Sequence, residues 1–103
     1  MKKVEVLSDS EISKRLETLP LWSIQDDKLE AHLKFSTFVD AFSFMTRVAF
    51  DIEQKNHHPE WLNVYNKLTV KFTTHDSGGI TEKDFEMAKI FSDHFSKFTQ
   101  KGA

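Results

Sequence analysis

Twice along the chain the hydrophobic period switches from two residues to about 3.6, and this repeated switch constrains the fold more than any other feature. In the first block, Trp22-Ser23-Ile24-Gln25 is a brief alternating segment and Asp26-Asp27-Lys28 a polar turn. Leu29, Ala31, Leu33 and Phe35 then alternate with Glu30, His32, Lys34 and Ser36. Such a pattern predicts a hairpin of half-buried strands. Thr37 caps a helix running to about residue 55. In the second block, Trp61, Asn63 and Tyr65 alternate with Leu62 and Val64, and a tight turn is predicted at Asn66-Lys67. Leu68, Val70 and Phe72 alternate with Thr69, Lys71 and Thr73, and residues 75–79 form a loop by composition. Thr81 opens a last helix whose apolar stripe is Phe85, Ala88, Phe91, Phe95 and Phe98. Ahead of both blocks, Ser8 and Glu11 make a capping-box pattern. Ile12, Leu16 and Leu19 follow at helical spacing and Pro20 closes a short helix over about residues 9–18. The order α-β-β-α-β-β-α predicts an α+β fold, a four-stranded antiparallel sheet with helices packed on one face.

A chain of 103 residues suits a single domain over 1–103, long enough to bury a core. Ten Phe predict a core or an interface filled by phenyl rings. The long middle helix carries two apolar stripes. One is Phe38, Phe42, Met45, Ala49 and Ile52; the other is Ala41, Phe44 and Val48. A helix that packs only on a sheet needs one stripe, so the second, Ala41-Phe44-Val48, is a candidate subunit contact, with a wide core-facing surface as the alternative. A contact of that kind predicts a homo-oligomer.

Charge and composition exclude several function classes. The net charge of −2 and the mixed distribution of charges lack the basic excess of a nucleic-acid binder. No stretch approaches the ~20 apolar residues that span a membrane, and the two lysines at the start are not followed by the apolar run of a signal peptide. A cytoplasmic protein is the expectation. With no cysteine there is no thiolate nucleophile, and no serine stands in a G-x-S-x-G elbow.

What remains is a set of histidines at element ends. His57 and His58 lie between the middle helix and the third strand, before Pro59, and His75 lies where the fourth strand gives way to a loop. If the second hairpin pairs as read, residues near 58–61 neighbour those near 73–75, so the three imidazoles meet. Histidine gives and takes protons near neutrality, which makes general acid/base catalysis the reading with most chemical content. A zinc site is the rival, but adjacent histidines seldom point at one centre and no H-E-x-x-H pattern is present. The bland alternative is that they cap a helix and fill a turn. As loop-end residues, they are expected to be dispensable for folding. His32 and His94 read as ordinary strand and helix residues.

Glu53, His57-His58-Pro59, Tyr65, His75 and Asp84 stand at the spacing of a known signature. With Ala41-Phe42-Ser43-Phe44-Met45-Thr46-Arg47-Val48-Ala49, HHPEWLNVYNK over 57–67, Thr74-His75 and Gly79-Ile80-Thr81, the chain resembles the pterin-4a-carbinolamine dehydratases over nearly its whole length, with no departure at the signature positions. The resemblance implies dehydration of a 4a-hydroxytetrahydropterin, left by aromatic amino acid hydroxylases, to quinonoid dihydropterin, with no metal and no organic cofactor. It assigns His57, His58 and His75 as the catalytic histidines and Asp84 as an acidic residue supporting them. Thr81-x-x-Asp84 is also a helix-start pattern, so Asp84 has a second reading as a cap. Glu53, one turn before His57, is placed to orient an imidazole, and Trp61 is either a wall beside the pterin ring or core. Relatives form dimers or tetramers, and some animal relatives also bind a homeodomain transcription factor, which the resemblance offers as a further partner.

Overall fold

The computed structural model describes residues 5–99. The elements follow the expected order: α1 (Asp9–Leu16), β1 (Trp22–Gln25), β2 (Lys28–Lys34), α2 (Phe38–Lys55), β3 (Glu60–Val64), β4 (Lys67–Phe72) and α3 (Glu82–Thr99), with a single 3-10 turn, His75–Ser77, between β4 and α3. The four strands form one antiparallel sheet in the order β1-β2-β4-β3. Each hairpin is therefore intact, and the two hairpins join through their second strands. The capping box at α1 is present, with the Ser8 N–H donating to Glu11 Oε1 at 2.9 Å and the Glu11 N–H donating to Ser8 Oγ at 3.2 Å.

Both hairpin turns are two residues long; the first lies within its expected place and the second is shifted. Gln25 pairs with Lys28, so the first turn is Asp26-Asp27, with φ of 50° and 61°. Positive φ matches the twist that tight hairpins require, and aspartate tolerates it. Val64 pairs with Lys67, so the second turn is Tyr65-Asn66, one residue earlier than Asn66-Lys67. Tyr65 has φ 53°, an uncommon conformation for a bulky residue. Two asparagines hold it there. The Asn63 side-chain amide donates to the Tyr65 and Lys67 carbonyls at 3.1 and 2.9 Å, and Asn66 donates to the Phe35 carbonyl at 2.9 Å.

Leu29, Ala31 and Leu33 of β2 and Leu68, Val70 and Phe72 of β4 are buried beneath α2 and α3. Six of the ten Phe (Phe35, Phe44, Phe72, Phe85, Phe91 and Phe95) are core. Phe91 meets Phe44 and Phe72 edge-on at 5.6 and 5.2 Å.

The core-facing surface of α2 is the wide one given as the alternative, taking Ala41, Phe44 and Val48 together with Met45 and Ile52 of the other stripe. Ala41, Phe44 and Val48, expected as the subunit contact, are fully buried and face the sheet, joined by Ile52. Phe38 and Phe42, expected in the core, are 45% and 55% exposed. Drawn at 100° per residue, Ile52 falls beside Ala41, Phe44 and Val48, whereas Phe42 is turned about 100° away from Ala41. Val39 and Phe50 widen the exposed apolar surface. Among the described residues, no helix is long and apolar enough to cross a membrane.

Candidate active site

The end of α2 delivers the first histidine. Asn56 terminates the helix in the left-handed conformation, and the His57 N–H donates back to the Ile52 carbonyl at 3.3 Å. This is the Schellman pattern of helix ends, and it directs the chain back across the sheet. His57 therefore tucks inward. Its ring stacks on Phe72 at 5.8 Å and 12°, and its side chain is only 12% exposed. Nε2 lies 2.6 Å from Oδ1 of Asp84, which is fully buried in the first turn of α3.

Asp84 divides its oxygens between the two readings given for it. Oδ1 meets His57. Oδ2 accepts from the Thr81 N–H at 2.9 Å, the helix-start contact, and from the Thr74 hydroxyl at 2.8 Å. The positive end of the α3 dipole adds to the stabilisation of an anion there.

His58 points the other way, into solvent, with Nε2 2.9 Å from Glu53 Oε1. Glu53 thus orients an imidazole, but that of His58 rather than His57. His75 is exposed, with Nε2 3.8 Å from Glu60 Oε2. Glu60 is fixed in turn by Lys28, 2.8 Å away. The Lys28 hydrogen bond first, then the charges of Lys28, His75 and Lys71, hold the Glu60 carboxyl below its ordinary value. Each histidine therefore faces a carboxylate of its own.

These pairs close into a ring. His57 contacts Asp84, Asp84 contacts Thr74, Thr74 adjoins His75, His75 reaches Glu60, and Pro59 leads from Glu60 back to His58. The ring wraps the end of the sheet. Phe72 and His57 lie on the helix side, whereas Glu60, paired with Lys71, lies on the open side. Beside His75 is a recess of about 250 Å³ lined also by Asp26, Asp27, Lys28 and Thr73. A larger recess of about 710 Å³ lies between α1 and α3 and contains no histidine. Its carboxylates and lysines, Glu82, Glu86, Asp93, Lys83 and Lys89, include no imidazole, the side chain that exchanges protons near neutrality, so we place the candidate site at the histidines.

Trp61 lies on the helix side of edge strand β3, half-buried, with its ring 6.2 Å from Phe91. Of its two readings the core contact is the one present. Tyr65 of the signature sits in the hairpin turn at the far end of β3, about 15–20 Å from Glu60 by strand rise. Sequence reasoning missed Glu60, Thr74 and Thr81. Glu60 and Thr74 meet their partners only through the tertiary fold, Glu60 across the sheet and Thr74 at the start of α3, and the helix-start motif had marked Thr81 without its hydroxyl contacts. Among the described residues, no three His, Asp or Glu side chains are grouped as metal ligands. His32 pairs with Glu30 at 2.7 Å and His94 with Asp51 at 3.2 Å, both outside the ring.

Comparison with known proteins identifies the family of the chain. The family profile described as pterin 4 alpha carbinolamine dehydratase matches residues 5–94. A protein of Solibacter usitatus (strain Ellin6076), provisionally named a pterin-4-alpha-carbinolamine dehydratase, is 52% identical over 82 residues, covering 80% of this chain and 86% of that one. One from Burkholderia lata with the same provisional name is 43% identical over 102 residues, covering 97% and 99%. A crystal structure from Brucella melitensis, described as a transcriptional coactivator/pterin dehydratase, superposes with a TM-score of 0.85 at 36% identity, covering 87% of this chain and 98% of that one. The chain belongs to the pterin 4 alpha carbinolamine dehydratase family.

Proposed function

We propose that the protein dehydrates a 4a-hydroxytetrahydropterin to the quinonoid dihydropterin by general acid/base catalysis from His57, His58 and His75. The observation that carries this reading is the ring of three histidine–carboxylate pairs at one end of the sheet in a chain of this family. Loss of the 4a-hydroxyl breaks the C4a–O bond. The N5 lone pair supplies the push, an acid protonates the leaving oxygen, and a base takes the N5 proton. Water leaves and no covalent intermediate forms. Positioned acid/base groups contribute roughly 10²–10⁴-fold to such steps. Glu53, Asp84 and Glu60 orient the imidazoles. The purified protein should accelerate decay of a 4a-hydroxytetrahydropterin generated in situ, followed by its absorbance, and dialysis against a strong chelator should leave the rate unchanged. No acceleration over buffer rejects the reading. Activity lost on dialysis and restored by zinc rejects its metal-free form.

The exposed face of α2 supports a second part of the reading, assembly. Phe38 and Phe42 lie with their rings tilted 5.7 Å apart on a surface that Val39 extends. A contiguous apolar patch of this kind marks an interaction surface. A second copy across a two-fold axis is the simplest occupant, giving a homodimer or, with another contact, a homotetramer. The coactivator half of the Brucella melitensis description makes a transcription factor the alternative occupant of the same face. Light scattering at micromolar concentration should give a mass above 12.0 kDa for wild type and a smaller one for Phe42→Glu. A monomeric wild type rejects self-assembly, and an unchanged mass in the folded variant rejects this face as the contact.

A further inference from the structure

Proton counting around Asp84 gives its network a direction. A threonine hydroxyl has one hydrogen to donate. That of Thr74 goes to Asp84 Oδ2, 2.8 Å away. The 2.8 Å contact between the Thr74 and Thr81 hydroxyls then has one polarity only, with Thr81 donating and Thr74 accepting. The Thr81 oxygen in turn accepts from the Lys83 N–H at 3.2 Å. So the hydrogens run from Lys83 through Thr81 and Thr74 to the carboxylate, while the Thr81 N–H donates to the same Oδ2. Thr74, Thr81 and Asp84 are all buried. No buried side-chain polar atom among the described residues lacks a partner, so no water is needed to complete the chain.

Two donors on Oδ2 fix the rotation of the carboxylate and leave Oδ1 for His57. An ionised carboxylate only accepts, so the His57 nitrogen facing it, Nε2, carries the hydrogen. We propose that Thr74 and Thr81 are positioning residues which, acting through Asp84, lock His57 with its hydrogen on Nε2 and leave Nδ1 as the atom that exchanges protons with the substrate. The exchange at Nδ1 rests on the dehydratase reading; the lock does not. Serine at 74 preserves the donor and valine removes it. Serine or valine changes little in the size of the side chain.

The test reads the free protein first. In nitrogen-15 spectra of the histidine rings, wild type should show His57 with hydrogen on Nε2 and a downfield, slowly exchanging proton. Thr74→Val should move that proton upfield or lose it to exchange, and Thr74→Ser should restore it. Thr81→Ala keeps the backbone N–H and removes the hydroxyl that orients Thr74, together with the buried γ-methyl, so it should give a weaker version of the same change. In turnover, Thr74→Val should lower kcat by about ten- to a hundredfold with little change in KM, the range seen when an outer partner that orients a histidine is removed. Hydrogen on Nδ1 in wild type overturns the proposal. So does a His57 signal unchanged in both Thr74→Val and Thr81→Ala. A wild type with the expected spectra but no dehydratase turnover overturns the substrate reading and leaves the lock standing.

Discussion

His75→Ala should lose about 10- to 10⁴-fold of dehydratase turnover while its thermal unfolding stays that of wild type. Acid/base groups contribute within this range. The His75 side chain is 78% exposed, with a carboxylate 3.8 Å away as its ion-pair partner, so its removal opens no cavity. His57→Ala should lose comparable activity but also stability. Its ring stacks on buried Phe72, and its loss leaves Asp84 Oδ1 buried without its donor. An unsatisfied buried polar group costs about 1–3 kcal/mol, and more when charged. The expectation that all three histidines are dispensable for folding is therefore corrected for His57. Thermal melts alongside rates separate the two effects. Wild-type turnover in a folded His57→Ala, His75→Ala double variant would remove both from the mechanism.

The second large effect is structural. Phe44→Glu should fail to fold, whereas Phe42→Glu should fold with a normal circular dichroism spectrum. Phe44 is wholly buried, against Phe35, Phe91, Phe95 and Phe98. Truncating a core phenylalanine costs about 3–5 kcal/mol, and a domain has about 5–15 kcal/mol in total. A buried carboxylate without a partner is costlier still. A cooperative melt for Phe44→Glu near the wild-type temperature would show that this stripe of α2 is not the one facing the sheet.

The contrast between these phenylalanines shows where the sequence stops being legible. Element order followed from the switch of hydrophobic period, which depends only on local spacing. The facing of α2 did not, because both stripes are apolar and choosing between them requires the sheet to be in place. The second turn was misplaced by one residue because a tyrosine at positive φ is held there by side-chain bonds of Asn63 within the turn and of Asn66 to the distant Phe35 carbonyl. Within the site, the histidines and Asp84 were legible from spacing and family pattern. Glu60 was not, since Lys28 and His75 reach it from other strands or loops.

For protein engineering, the two-sided use of Asp84 closes one common route to a more heat-resistant variant. Helix starts are ordinarily good places to add stability, because caps are exposed and independent of function. At α3 the capping carboxylate also holds the ring of His57, so every substitution chosen for the helix is a substitution in the site. A longer side chain at 84 would push the imidazole, and a neutral one would change what it accepts. The start of α1, where the Ser8 and Glu11 side chains cap each other's backbone N–H at the surface, touches none of the histidines and is the place to work.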